Sequence, residues 1–153
     1  MRKTLLLVAV GTLAVVGLAR RAAPSKLMEN RLWIDRLPAG PRDTVQLFVA
    51  LGDEATGIFD ASSAWRGSYE LFHYELQGDQ LRIVYPQTGE AETARTKAAR
   101  CDAPPPMELC LEIDGASHGV KRYYSRDDWS IDGHDVDAAR NQVAVLRATL
   151  VRP

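Results

Sequence analysis

The chain has 153 residues, of which 46% are hydrophobic and 25% are charged, an ordinary globular composition that fits one domain. Nineteen lysines and arginines stand against twenty acidic residues, so the formal net charge is −1. The chain lacks the overall positive charge that binds nucleic acid, and we therefore expect no nucleic-acid partner.

The N-terminal segment has the pattern of an export signal. Arg2 and Lys3 precede an uncharged run from Thr4 to Ala19 that ends on small residues. A helix of that length spans about 24 Å, short of the roughly 30 Å hydrocarbon core, which favours a cleaved signal peptide. Arg20 and Arg21 follow directly, and positive charge at this point favours an uncleaved membrane anchor. Both interpretations stay open.

These cues divide the chain into three parts. Residues 1–21 are predicted as a signal peptide or membrane anchor, 22–29 as a linker, and 30–153 as one β-rich domain. The first clear strand pattern is DTVQLFVALGD. Apolar residues alternate there with their neighbours and predict a half-buried strand; they are Val45, Leu47, Val49 and Leu51.

The segment SYELFHYELQGDQLRIVYPQ predicts a β-hairpin. Two runs of strand-forming residues flank Gly78, and glycine adopts the positive φ of a tight turn at little cost. Leu81, Ile83 and Tyr85 share one face of the second strand. The first strand has apolar side chains on both faces, which predicts a central strand covered on both sides or a β-bulge.

Three more segments follow in the predicted sheet. Residues 90–100 (EAETARTKAAR) have a helix-forming composition, but they lie between strands at short spacing, so a strand is preferred and a helix stays open. MELCLEID alternates, with Met107, Leu109, Leu111 and Ile113 predicted to face inward. GVKRYYSR is predicted to pair with it, which makes the sheet an antiparallel meander.

The C-terminal segment predicts an amphipathic helix. Asp135 suits the N-cap, and apolar residues then recur at steps of three and four, which places them on one helical face. These residues are Val136, Ala139, Val143, Leu146 and Leu150. A final strand over VAVLRATLVR is the alternative.

Cys101 and Cys110 are the two cysteines of the chain. In an exported protein an even number of cysteines predicts a disulfide, and their separation matches neither a redox nor a zinc-ligand motif. The acidic string DDWSIDGHDVD contains only a fragment of a calcium-binding loop, so a turn before the helix is preferred. We therefore predict a disulfide, no metal site and no cofactor.

A short first strand with Trp33, a run of hairpins and a C-terminal helix together resemble a lipocalin-type small β-barrel. Lipocalins carry glycine two residues before this tryptophan, where Arg31 stands here. They also carry a basic residue that packs on the tryptophan, and Arg122 and Arg126 are the candidates. The resemblance implies a closed meander whose interior holds one apolar ligand. A β-sandwich is the alternative.

No catalytic residue is assigned, because the chain has no G-x-S-x-G serine elbow. His73 lies mid-strand with Glu70 and Glu75 nearby, a pairing that suits either acid–base chemistry or a partly buried structural histidine. Aromatic and basic side chains on the predicted strands are the candidate ligand-binding residues, although aromatic residues equally suit a core. The candidates are Trp65, Phe72, His73, Tyr74, Tyr85, Arg122 and Tyr124.

Export, β structure and the lack of a catalytic motif favour a non-catalytic binding module of the cell envelope, in the periplasm or outside the cell. Its expected partner is a small apolar ligand or an envelope protein. One alternative is a structural or assembly protein anchored in the membrane through residues 4–19. The other is an enzyme that uses His73 with Glu70 or Glu75.

Overall fold

A computed structural model describes residues 24–40, 42–63 and 65–134, together with positions 137, 141, 144, 145 and 148. The signal or anchor segment (1–21) and the apolar positions of the expected C-terminal helix lie outside the described residues, as do most positions of the alternative final strand (143–152). No helix among the described residues has the length and hydrophobicity needed to cross a bilayer.

Eight antiparallel strands close into a barrel in chain order, preceded by one short helix. Each strand pairs with the next, and the last pairs with the first through Ile34 and Tyr124. The antiparallel barrel is thus confirmed and the β-sandwich is wrong. The elements are α1 (Pro24–Met28), β1 (Trp33–Ile34), β2 (Val45–Leu51), β3 (Thr56–Ser62), β4 (Gly67–Gln77), β5 (Gln80–Val84), β6 (Ala91–Arg100), β7 (Leu109–Asp114) and β8 (Arg122–Ser125).

The ambiguous segment is a strand, β6, as preferred from the sequence. Ala94, Thr96 and Ala98 are buried on its inner face, whereas Arg95 and Lys97 are exposed on its outer face. This alternation suits a strand with one face in the barrel, and it outweighs the helix propensity of alanine, glutamate and arginine.

The small inward residues of β6 leave room that α1 fills. Met28 is fully buried among the interior side chains, and its sulfur lies 3.5 Å from the Thr96 hydroxyl. The Met28 carbonyl accepts a hydrogen bond of 2.9 Å from the Trp33 indole N–H. The segment interpreted as a linker therefore contains a helix that packs into the domain and fills one end of the barrel.

Aromatic rings fill the middle of the barrel. The ring centroid of Phe48 lies 5.3 Å from that of Phe59, 5.8 Å from that of Phe72 and 5.8 Å from that of Tyr123. Phe59 and Phe72 are 4.9 Å apart. These distances lie in the favourable range for aromatic pairs. Among the described residues, the middle of the interior is therefore a packed aromatic core.

A second apolar cluster lies outside the barrel, against β1 and β2. Val45, Leu47 and Val49 are buried there under Met107 and Trp129. β2 is therefore buried on both faces, and the half-buried strand predicted from its alternation is wrong. Met107 likewise packs outside the barrel, not in its interior, since β7 begins only at Leu109.

The predicted disulfide joins the β6–β7 connection to β7. Cys101 and Cys110 are bonded with their Cα atoms 5.8 Å apart, and both pack against the outer cluster. Ala103, inside the closed loop, is buried in the same cluster. The disulfide thus holds a loop that covers the outer face of the sheet.

The β4–β5 hairpin is confirmed, but both explanations for the apolar residues on two faces of β4 are wrong: the outer face is not covered, and the pairing with β3 and β5 runs without a bulge. Gly78 has a φ of 65° in the turn, and Phe72 and Tyr74 are buried inside the barrel. On the outer face Tyr69 is 66% exposed and Leu71 is 44% exposed. The outward apolar residues of β4 thus lie on the surface of the described protein.

Candidate functional site

One end of the barrel, which we call the mouth, contains a cavity of about 260 Å³. The mouth is opposite the end filled by Met28, and it lies beyond the aromatic layer of Phe48 and Phe72. Its walls include Gln46, Phe59, Ser68, Glu70, His118 and Gly119. Cavities that hold drug-sized ligands start at about 300 Å³, so this one suits a smaller molecule.

The alternation of side chains along β4 makes Glu70 face the mouth. Residues at steps of two share a face of a strand, and Glu70 is on the same face of β4 as the buried Phe72 and Tyr74. In the sheet it lies opposite Phe59 of β3. Glu70 is therefore an inward-facing carboxylate at the rim of an aromatic core.

On the side of Glu70 that faces β5, the described barrel wall lacks a paired strand. β5 pairs with His73–Gln77 of β4, so in the described sheet the first half of β4 pairs with β3 alone. There the Gln87 side chain forms hydrogen bonds with the β4 backbone that a neighbouring strand would otherwise form. With its nitrogen facing the acceptors, it donates to Leu71 O at 3.0 Å and to Glu70 Oε1 at 3.2 Å, and its oxygen accepts from Leu71 N at 3.2 Å.

The partly exposed carboxylate of Glu92 holds the β7–β8 loop over the mouth. The Ser117 N–H donates to both Glu92 oxygens at 3.0 Å, and the Tyr85 hydroxyl donates to Glu92 Oε1. Burial alone would raise the pKa of Glu92, but these hydrogen bonds outweigh it and leave the pKa below its ordinary value. Burial and the Glu92 hydrogen bond together raise the pKa of Tyr85.

Gly119 lets the same loop approach the core closely. Its φ is 76°, and a Cβ built on it would come within 2.1 Å of the Tyr123 hydroxyl and 2.7 Å of the Phe59 ring. The Tyr123 hydroxyl accepts a hydrogen bond of 2.9 Å from Val120 N. Burial raises the pKa of Tyr123 to about 12, although this hydrogen bond opposes the shift.

The loop places His118 at the rim. Its ring centroid lies 4.8 Å from that of Tyr85 and 6.5 Å from that of Phe59. The side chain is exposed, so it meets solvent on one side and the aromatic wall on the other. The sequence favours a solvated loop residue; the structure adds its contact with the cavity.

The ligand-binding residues predicted from the sequence separate into two groups. Phe72, Tyr74 and Tyr85 are buried in the barrel interior. At the end opposite the mouth, the Tyr74 hydroxyl donates to Glu29 Oε1 at 2.9 Å, and burial together with this bond raises the pKa of Tyr74. The other four residues point outward or lie in a loop: Trp65, His73, Arg122 and Tyr124.

Trp65 and His73 lie apart from the mouth. Trp65, expected on a strand, is in the β3–β4 connection and is 76% exposed. His73 is exposed on the outer face of β4, together with Glu75, which pairs with Arg82. Glu70 is on the opposite face. The structure therefore does not bring His73 and Glu70 together.

Arg122 and Tyr124 line an outer groove of about 220 Å³ beside the disulfide. The Arg122 guanidinium pairs with Glu112 across the strands, and Arg126 lies over the Trp129 ring at 5.9 Å. Neither contact is the packing on Trp33 that the lipocalin resemblance implies. The closed barrel is nevertheless the architecture expected from that resemblance.

Three residues of the acidic string before the C-terminal segment form polar contacts, two of them local and one with the end of β6. Asp127 pairs with Arg100, Asp128 pairs with Arg126, and Asp132 accepts a hydrogen bond of 3.0 Å from His134 N. In the described ranges, no group of three or more potential metal ligands occurs. These contacts fit the turn that the sequence favours at this point.

Sequence reasoning missed most of the mouth. Gln46, Phe59, Ser68 and His118 were not among the predicted ligand residues, and Glu70 was considered only as a partner of His73. One available signal was parity on β4, since Glu70 shares its face with Phe72 and Tyr74. Comparison of the chain with protein-family models, with curated proteins and with solved structures finds no match in any of the three.

Proposed function

We propose that the protein is a non-catalytic binding module of the cell envelope that holds a small ligand at the mouth of its barrel. The observation that carries this proposal is the 260 Å³ cavity, in which an aromatic ring and polar side chains converge at one end of a closed barrel. Ligand sites combine these features: an apolar wall and a few polar groups that orient the ligand.

The packed interior supports the mouth, not the centre of the barrel, as the binding site. Phe48, Phe72 and Met28 are essentially fully buried and close the space below Phe59. A ligand would therefore be small and would contact only the residues that line the mouth. Export is the second part of the proposal, and the Cys101–Cys110 disulfide supports it because disulfides persist in oxidising compartments.

The two alternatives gain no support from the described contacts. The enzyme alternative needs His73 beside a carboxylate in a cavity, whereas His73 is exposed on the outer face of the barrel. The anchored structural protein depends on residues 4–19, which lie outside the described residues.

Native mass spectrometry of the protein purified without denaturation tests the proposal. We expect a bound small molecule that is lost in Ala61→Trp, because Ala61 lines the mouth and an indole there would fill it. Ala99→Trp is the matched control, since Ala99 lines the outer groove. A protein with no bound mass that also takes up no added small ligand would contradict the proposal.

A further inference from the structure

The charges at the mouth are unbalanced. Glu70 and Glu92 both face the interior at this end, and neither takes part in the ion pairs found among the described residues. Those pairs instead join outward-facing or loop residues. Among the described residues, no lysine or arginine forms an ion pair with Glu70 or Glu92, so these two carboxylates give the described part of the mouth a negative character.

The two carboxylates differ in what they can still bind. Glu92 accepts hydrogen bonds at both oxygens, from Tyr85 and Ser117, and so serves the loop. Glu70 accepts one described hydrogen bond, from the Gln87 amide to Oε1. A carboxylate has about four acceptor sites, so Glu70 keeps most of its capacity for a donor in the cavity.

The almost fully buried ring of Phe59 lies beside this carboxylate and contributes to the cavity wall. Phe59 pairs with Glu70 across β3 and β4 and lines the same cavity, and the Tyr85 ring stands behind His118 at the rim. A carboxylate beside an apolar wall is a favourable environment for an organic cation, because the charge meets the carboxylate and the apolar part contacts the wall.

We propose that the mouth binds a small organic ammonium ion, with its nitrogen at Glu70 and its apolar part against Phe59. This inference rests on the proposed function and specifies the ligand class. The proposed ligand thus carries a positive charge, whereas the sequence led us to expect an apolar ligand. The cavity volume of about 260 Å³ suits a compact amine.

Calorimetric titration with three probes of matched shape tests the inference: benzylamine, benzyl alcohol and benzoate. We expect benzylamine to bind about tenfold tighter than benzyl alcohol, because its ammonium adds charge–charge attraction to the hydrogen bond with the Glu70 carboxylate, and benzoate to bind weakest. Glu70→Gln should abolish the preference for the amine, because it weakens benzylamine binding more than benzyl alcohol binding. Circular dichroism verifies that this variant keeps the barrel.

Glu75→Gln is the matched control, because Glu75 is on the same strand but on the outer face. It should leave the preference intact. Equal affinities for benzylamine and benzyl alcohol, or an amine preference that survives Glu70→Gln, would overturn the inference while leaving a ligand-binding mouth in place. If none of the three probes binds, the inference also fails, and the bound mass sought by native mass spectrometry decides separately on the proposed function.

Discussion

At the residue scale, the mouth depends on two features that hold the β7–β8 loop in place. One is the Glu92 carboxylate, which accepts hydrogen bonds from a loop amide and a core tyrosine. The other is the missing side chain of Gly119, which lets the loop contact Phe59 and Tyr123. Each can be removed by one substitution.

Gly119→Ala should destabilise the protein by about 1–3 kcal/mol, because the added Cβ strains a positive φ and also collides with Tyr123. Gly89→Ala is a close control: Gly89 has the same φ of 76° but nothing within 4 Å of the added Cβ. Urea unfolding of both variants separates crowding from backbone strain. Equal losses would show that the loop does not approach the core as described.

Glu92→Gln should cost about 1 kcal/mol at neutral pH, because a neutral acceptor replaces a charged one. The pKa of Glu92 is lowered in the folded protein from the ordinary value of 4.5. Its contribution is therefore complete above about pH 4.5 and declines as the pH falls through the lowered folded value.

The measurement is the unfolding free energy of the wild type and of Glu92→Gln from neutral to acid pH. The difference between the two should shrink in the acid range. Glu90→Gln, an exposed neighbour, provides the control. A difference that does not change with pH would contradict the described hydrogen bonds of Glu92.

At the element scale, the side chains of α1 and β6 complement each other in volume. The strand presents alanine and threonine to the interior, and the helix fills the remaining volume with Met28. Met28→Ala should therefore cost about 2–5 kcal/mol, since truncating a fully buried side chain leaves a cavity. Lys26→Ala, in the same helix but exposed, should change stability little. Thermal unfolding compares the two; similar small losses would mean that α1 does not pack in the barrel.

Individual turns and strands were predictable from the sequence where a local feature of the chain is enough to determine them. Gly78 marks a turn by its backbone freedom alone, and the alternation of Leu109, Leu111 and Ile113 already predicts β7. α1 was not predictable, because five residues beginning at Pro24 form a helix through packing of Met28 and not through intrinsic propensity. The burial of β2 on both faces was not predictable from its own sequence either, because segments distant in the chain bury its outer face.

At the scale of the whole molecule, closure of the barrel decides which side chains meet. It makes Trp33, Phe59 and Tyr123 members of one core, and it places Glu70 and His118 at one mouth although they are far apart in the chain. Alternation along single strands cannot show this, since it gives the face of each residue but not which face becomes the interior. The predicted ligand residues were accordingly split between the core and the outer surface.

The central claim, that the mouth is the binding site, is tested most directly by amide shift mapping with a library of small neutral and charged fragments. We predict shifts at Phe59, Glu70 and Gly119 that vanish in Ala61→Trp and persist in Ala99→Trp. Shifts confined to the outer groove around Arg122 and Tyr124, or no shifts with any fragment, would contradict it.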